Sequence, residues 1–411
     1  MTFSSSIAAF TGLLALGAFT LFPPSSAPTG SSSGACGSAS PASNAELQCE
    51  PDDPTPPRPA RPRPTIEVVF VLDTTGSMGG LLEGAKAKIW SIASRIVQGR
   101  PTPRLRVGLV GYRDLEDAYV TRVHPLREDL DAVYADLRSF RAEGGGDTPE
   151  HVARGLRHAV ENMQWSSGED VLKVVYLVGD APPKAYANEP GAAHWTRAAH
   201  QRGIVVNTVR CGSSHETQAS FQKLARTGGG LYFAVAQDGG VAAVTTPFDD
   251  EIRRLEREAG ALALVGGREP ARRASAAKKE AFAALSAEAS ADRSAYHAAA
   301  GAASRRWAAE DAVDLAAEPD ALDRLDDHEL PAELKPLSAS ERRARVEKRA
   351  RRRAEIDRRL HHLTAQRRAH LEKTSSADAG VDDRVLADIR RRAEKLGVTY
   401  ADGPSKSDSG K

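Results

Sequence analysis

Apolar residues between positions 66 and 250 fall into short continuous runs that alternate with amphipathic stretches of helical spacing. Short apolar runs predict buried strands, and the 3.6-residue spacing predicts helices. Strands are predicted at 66–72, 105–112, 171–178 and 204–210, with weaker ones at 120–124 and 231–234. Helices are predicted at 81–97, 130–140, 149–163, 192–202, 221–226 and near Phe248. Apolar strands separated by helices predict an α/β fold with a doubly wound, mostly parallel sheet covered on both faces.

The remaining sequence divides into three regions of different composition. Residues 1–24 are apolar and predict a signal peptide or membrane anchor, and residues 25–65 form a linker that is rich in Ser and Ala and then in Pro. Residues 251–411 carry no strand pattern and predict a mostly α-helical C-terminal region, Ala-rich at first and basic later. The α/β domain is therefore assigned to residues 66–250.

The N-terminal apolar run predicts export from the cytoplasm. It covers residues 7–22 and is followed by two prolines. This run is shorter than the roughly 20 residues of a membrane-spanning helix. It has the length of a secretory signal. Cleavage, lipidation at Cys36 and retention as an uncleaved anchor all stay open, and each places the protein in the periplasm, at the cell surface or on the membrane. In each case the membrane is contacted only through this segment. The alternative is a disordered tail that happens to be apolar.

Charge and cysteine content argue against three classes of protein. The chain has 56 Lys and Arg against 55 Asp and Glu, which argues against a uniformly basic nucleic-acid-binding protein. Three cysteines are too few for a disulfide scaffold or a cysteine-based zinc module. Cys36 and Cys49 could pair in an oxidising compartment, or either could be free.

Short oxygen-bearing side chains follow the predicted strands at the edge where parallel sheets bind ligands. They are Asp73, Thr75, Ser77, Thr148 and Asp180. Hard divalent cations such as Mg²⁺ take oxygen ligands, and short side chains on loops held by rigid strands can meet their geometry. The sequence therefore predicts a site for Mg²⁺, or for Mn²⁺ or Ca²⁺, at the carboxyl edge of the sheet.

These loops resemble the metal-ion-dependent adhesion site of von Willebrand factor type A domains, whose first loop is Asp-x-Ser-x-Ser. Thr75 replaces the first serine here and retains the hydroxyl. The sequences around Gly-Asp-Thr-Pro-Glu and Gly-Asp-Ala-Pro-Pro are similar to those of one subgroup of these domains. That subgroup is found beside alpha-kinases and in exported bacterial proteins. No kinase sequence is evident. The resemblance implies a Rossmann-like fold, with Thr75, Ser77 and Thr148 as hydroxyl ligands and with Asp73 and Asp180 acting directly or through water.

The resemblance also implies a binding function. Two carboxylates balance one divalent cation, so an open coordination position would favour an acidic side chain from a partner protein. The positive end of the helix that begins near Gly79 favours the same anion. A metal-dependent adhesion or assembly module is therefore the favoured hypothesis, without catalytic residues and without specific nucleic-acid binding. A scaffold with an incidental metal is the alternative, and a metal-dependent hydrolase is a third hypothesis.

Several other residues are better explained by structure than by chemistry. Asp147 and Glu150 are interpreted as turn formers or helix caps, and His151 and Cys211 as packing residues. The helix at 341–372 has 12 Lys and Arg against 5 Asp and Glu, which could favour an anionic partner. We favour instead a solvated helix that packs, or oligomerises, through one apolar face. That face is Val346, Ile356, Leu360 and Leu363, interrupted by Arg353 and Arg367.

Overall fold

A six-stranded sheet forms the centre of the molecule. The computed structural model describes residues 63–145, 150–236, 245–301, 306–374 and 381–400. The strands of the sheet are β1 (Thr65–Asp73), β2 (Arg104–Tyr112), β3 (Thr121–Arg127), β4 (Val171–Gly179), β5 (Ile204–Cys211) and β6 (Gly229–Val235). Their order is β3-β2-β1-β4-β5-β6, and all neighbours are parallel except β2 and β3. The predicted fold class is confirmed.

Helices cover both faces of this sheet because the side chains of each strand point alternately to opposite sides. In β1, Val68 and Leu72 face one hydrophobic cluster, whereas Val69 and Val71 face the other. The helices of this part of the chain are α1 (Gly79–Ile96), α2 (Leu130–Ser139), α3 (Val152–Glu161), α4 (Ala192–Gln201), α5 (His215–Thr227) and α6 (Asp249–Leu262). The first cluster includes buried residues of α1 and α2, and the second includes those of α3, α4 and α5.

Two of the predicted helices begin three or more residues away from the predicted position. The helix predicted at 149–163 begins only at Val152, because the backbone of Glu150 pairs with Pro183 and His151 caps the first turn. The helix predicted at 221–226 extends over His215–Thr227. Its first turns are polar, so the apolar spacing misses them, but Ser214 caps its start by accepting a hydrogen bond from the Thr217 amide at 3.2 Å.

The C-terminal region is helical, as predicted, but it also contains a small sheet that was not predicted. Two three-residue strands, β7 (Val265–Gly267) and β8 (Ala312–Asp314), pair in antiparallel fashion. Strands this short carry no periodicity that could be recognised in the sequence. The helices of this region are α7 (Glu269–Ala283), α8 (Ala287–Ala300), α9 (Ala339–Thr374) and α10 (Val381–Ala393). None of the helices in the described ranges is long and apolar enough to cross a membrane.

The C-terminal helices share a hydrophobic core with the sheet domain. Trp90 of α1 is fully buried and contacts the rings of Tyr134, Phe282 and Tyr296, with ring centroids 5.6–6.0 Å apart. Helix α10 packs on the same side of the sheet, where Ile389 is buried. All the described residues fall in one compact unit. The boundary at residue 250 stays a prediction.

The apolar residues of α9 are buried, as the sequence indicated. Ile356, Leu360 and Leu363 pack against α6 and α8 of the same chain. Val346 packs in a separate cluster with Leu264 and Leu334.

The two arginines that interrupt the apolar positions of α9 are buried as well. Arg353 pairs with Asp314 at 3.3 Å, and Arg367 pairs with Asp249 at 2.6 Å. Much of the positive charge of this helix is therefore neutralised inside the chain.

A second buried ion network joins α8 to α2. Arg293 donates two hydrogen bonds to Asp131, at 2.7 and 3.0 Å, and Lys278 lies 2.9 Å from the same carboxylate. Burial alone would raise the pKa of Asp131, but Arg293 and Lys278 outweigh it and hold this pKa well below its usual range. Asp131 thus fixes the C-terminal helices on the sheet domain.

We expect Asp131→Asn to lower the free energy of unfolding of the full chain by about 3–5 kcal/mol, because Arg293 and Lys278 would lose their buried counter-charge. Urea unfolding measures this. The control is Glu269→Ala, which breaks the exposed Arg273–Glu269 pair and should cost less than about 1 kcal/mol. Equal losses in the two variants would contradict the structural role of Asp131.

Candidate metal centre

The centre of the sheet contains the position where chain direction reverses. β1 lies between β2 and β4, and the chain continues from β1 to α1 on one face and from β4 to α4 on the other. The carboxyl ends of these two strands are therefore separated by a crevice, the usual ligand site of open α/β sheets. β1 ends at Asp73, and β4 ends at Gly179, one residue before Asp180.

Three of the predicted ligands are brought together at the end of β1. Thr75 donates to Asp73 Oδ1 both from its amide, at 2.9 Å, and from its hydroxyl, at 2.6 Å. The hydroxyl of Ser77 lies 3.4 Å from that of Thr75. Ser77 is exposed at the start of a short 3-10 turn, whereas Asp73 and Thr75 are buried. These oxygens form a small polar cluster that is open to solvent on the Ser77 side.

The Asp73 carboxylate has no counter-charge in the described part of the chain. Its residue is fully buried, and its Oδ2 atom has no hydrogen-bond partner. Burial raises the pKa of Asp73 to about 7, against the hydrogen bonds from Thr75, and Asp180 and Asp117 raise it further. A buried carboxylate with an unsatisfied oxygen and acidic neighbours is a group that a bound cation would stabilise.

Asp180 approaches the same crevice from β4. A side-chain carbon on Gly179 would lie 2.4 Å from the Tyr112 hydroxyl and 3.3 Å from Asp73 Oδ2, so only glycine lets the two strand ends approach this closely. Thr217 of α5 donates to the Asp180 carbonyl at 2.8 Å and holds the backbone. Asp180 is half-buried, which leaves it accessible to a ligand in the crevice.

The glycine-rich loop lies beside Thr75. The Gly145 amide donates to Asp117 Oδ1 at 3.1 Å, and a side-chain carbon on Gly145 would lie 2.9 Å from the Thr75 Cβ. Asp117 therefore positions this loop, a role that nothing in the sequence pattern indicated. Thr148, the fourth predicted ligand, and Asp147 lie outside the described residues.

Glu150 belongs to the site, although the sequence favoured a turn or capping role for it. It is 2% exposed, and its Oε2 atom has no hydrogen-bond partner. Burial raises the pKa of Glu150 to about 8, and Asp73 is the strongest of the acidic neighbours that raise it further. The sequence does carry a relevant feature, since Glu150 stands two residues after Thr148, but only the tertiary structure shows its burial.

The rim of the crevice is fixed by one acidic residue. Asp114 accepts hydrogen bonds from Lys184, at 2.6 Å, and from the Tyr186 hydroxyl, which joins the two loops on either side of the site. His151 stacks on Tyr186 with ring centroids 4.0 Å apart, and burial lowers its pKa. Cys211 is fully buried, and burial raises the pKa of its thiol. Both side chains are buried, and their packing role stays a prediction.

The residues present fit a divalent cation in terms of donor chemistry. They supply carboxylate and hydroxyl oxygens, which hard cations prefer, and two buried carboxylate oxygens lack partners. Within the described ranges, no three His, Cys, Asp or Glu residues are close enough to hold a metal by themselves. The predicted ligand set consists of two carboxylates and three hydroxyls, including that of Thr148, so it does not require three such residues. The metal ligand set therefore stays a prediction.

Fold and site together define a doubly wound α/β domain with an oxygen-rich centre at the crevice of its sheet. Residues 67–246 match the family model for the von Willebrand factor A domain. This part of the chain is a von Willebrand factor A domain, in agreement with the resemblance noted in the sequence.

Two relatives match part of this chain. An ariadne-like RING finger protein of Acanthamoeba polyphaga mimivirus is 28% identical over 30% of this chain, and mouse hemicentin-2 is 29% identical over 40% of it. The chain spans only 12% and 3% of these proteins. A solved structure of proximal thread matrix protein 1 from the mussel byssus, with zinc in its MIDAS motif, is 16% identical with a TM-score of 0.35. That similarity covers 43% of each chain.

We expect Gly145→Ala to weaken Mg²⁺ binding because the added carbon would displace Thr75. Its control is Gly203→Ala, since Gly203 has a similar positive φ, +71° against +79°, but no atom within 4 Å of the added carbon. Each variant should lose about 1–2 kcal/mol of unfolding free energy through the backbone strain. Only Gly145→Ala should lose Mg²⁺ affinity in calorimetry. Native affinity in Gly145→Ala would contradict the placement of Thr75 at the metal.

Proposed function

We propose that this protein is an exported, metal-dependent protein-binding module. Its von Willebrand factor A domain would hold Mg²⁺ through Asp73, Thr75, Ser77, Thr148 and Asp180. When bound, the ion would supply an electrophilic centre for an oxygen ligand of a partner protein. The observation that carries this proposal is the buried Asp73 carboxylate, whose Oδ2 has no partner at the exposed edge of the sheet.

The rest of the site supports binding of a partner from solution. Ser77 is exposed and Asp180 is half-buried, so the crevice opens to solvent beside the buried carboxylate. The rim loops are tied together through Asp114 and Lys184 and would present a preorganised surface around the ion. Preorganised loops reduce the ordering cost of binding. An acidic side chain is the partner group that we propose, because it combines a hard oxygen with a charge opposite to that of the ion.

Export is the second part of the proposal, and it rests on the apolar run at 7–22 followed by the proline-rich linker. Both segments lie outside the described residues. In the proposed arrangement, the linker spaces the folded part of the chain from the membrane or from the cleavage point. The C-terminal helices act as part of the folded body, since they share the buried contacts of Trp90 with α1.

We expect the immobilised full chain to capture its partner from native extract with Mg²⁺ and to release it with EDTA. Asp73→Ala should abolish capture because it removes a carboxylate of the centre. The control is Glu116→Gln, which changes an exposed acid on the neighbouring loop and should leave capture unchanged. Mass spectrometry of the eluates measures the difference.

Capture that is insensitive to EDTA and to Asp73→Ala would instead favour a scaffold that binds through another surface. Deletion of residues 251–411 cannot make this distinction. It would remove Phe282 and Tyr296 from the buried cluster around Trp90 and destabilise the sheet domain itself.

A further inference from the structure

A cavity lies between the helices α6, α7 and α8, and none of the residues of the proposed metal centre lines it. Its volume is about 390 Å³, within the range of roughly 300–1,000 Å³ that is typical of small-molecule sites. Its lining includes the buried Phe282 and Trp307 as well as the exposed Arg257 and Ala261. The cavity therefore extends from the interior of the protein to its surface, and a ligand can enter it from solvent.

The buried part of the cavity is aromatic. Phe282 and Trp307 are 7% and 4% exposed. A side-chain carbon on Gly260 would lie 3.2 Å from the indole ring of Trp307, so glycine lets this ring lie directly against α6. Trp307 Nε1 is buried and has no hydrogen-bond partner in the described part of the chain. A buried indole N–H without an acceptor is a donor that a polar group of a ligand would satisfy.

Two cationic side chains of the lining reach from one helix to the next. Lys279 of α7 donates to the Ala263 carbonyl, and Arg257 of α6 donates to the Ala283 carbonyl, each at 3.3 Å. These bonds hold both cations in place beside the cavity. Each bond uses one donor, so two N–H donors of the lysine and four of the arginine are left for a ligand.

Neither of these two cations has a carboxylate within ion-pair distance among the described residues. Burial lowers the pKa of Lys279, and Asp314 and Glu333 are the acids that counteract this most. Both acids are already engaged, Asp314 by Arg353 at 3.3 Å and Glu333 by Arg349 at 2.5 Å. Lys279 is therefore a partly buried cation whose charge is not balanced within the described chain.

The other charged residues of the lining do not supply the missing negative charge. Glu256 lies 3.4 Å from the buried Arg293, which neutralises it. Arg253 pairs with Asp250 at 2.9 Å. The remaining acid of the lining is Glu280, which is exposed. The lining therefore has an excess of positive charge above an aromatic floor.

We propose that this cavity binds a small organic anion with a flat apolar body. Lys279 and Arg257 bind its oxyanion group through charge-assisted hydrogen bonds, and Phe282 and Trp307 contact its ring. Because three helices build the site, its occupant stabilises the packing of the C-terminal helices by mass action. The site is separate from the metal centre and does not depend on the proposed function.

Titration calorimetry of the full chain with two probes of one shape tests this proposal. The probes are naphthoate and its neutral alcohol, naphthalenemethanol. We expect naphthoate to bind about tenfold or more tightly than the alcohol. Lys279→Met and Arg257→Met should each weaken naphthoate binding by about tenfold, the effect of losing a hydrogen bond to a charged group, and should leave binding of the alcohol unchanged.

The control variant is Arg254→Met, which removes an exposed cation of α6 that does not line the cavity and should leave naphthoate binding unchanged. Urea unfolding checks that each variant folds. If Lys279→Met does not fold, Arg257→Met and the neutral probe still decide the question. The proposal is overturned if the native chain does not bind naphthoate or binds both probes equally well. It is also overturned if Arg254→Met weakens naphthoate binding as much as Arg257→Met does.

Discussion

The buried carboxylate of Asp73 is the constraint on which the site depends. It lies at the end of the central strand, fully buried, with one oxygen held by Thr75 and the other without a partner. A rigid parallel sheet keeps it there, because β1 is paired along its length with β2 and β4. The close approach at Gly179 and the half-buried Asp180 belong to the same crevice. The side chains around the Asp73 carboxylate therefore offer oxygens rather than cations.

Buried charges are paired, in contrast, where the C-terminal helices meet the rest of the chain. Asp131 is neutralised by Arg293 and Lys278, and the buried arginines of α9 have carboxylate partners. These ion pairs hold the helices in place, and they leave little unbalanced charge that a ligand could neutralise. Buried acids that only stabilise the fold are thus paired with basic side chains in this chain. The carboxylates of the crevice lack such partners, which is why we assign them to a binding site.

Much of the fold followed from the sequence because its strands are continuous apolar runs with clear helices between them. Asp73, Thr75 and Ser77 were predictable for the same reason, since they follow a strand whose end the pattern defines. Glu150 was not, because its burial depends on pairing with Pro183 across the crevice, a contact that no local pattern contains. The burial of Arg353 could not be predicted either, because an arginine in a basic helix is expected to lie in solvent. Only the tertiary structure shows that Asp314 is its buried partner.

The proposed function requires one divalent cation to bind at the carboxyl end of β1. Anomalous X-ray scattering from crystals of the full chain grown with Mn²⁺ locates such an ion directly. A cation bound there would give a single strong peak in contact with oxygens of Asp73, Thr75 or Ser77 and close to Asp180. Anomalous density that is absent from this crevice, or present only elsewhere on the molecule, would contradict it.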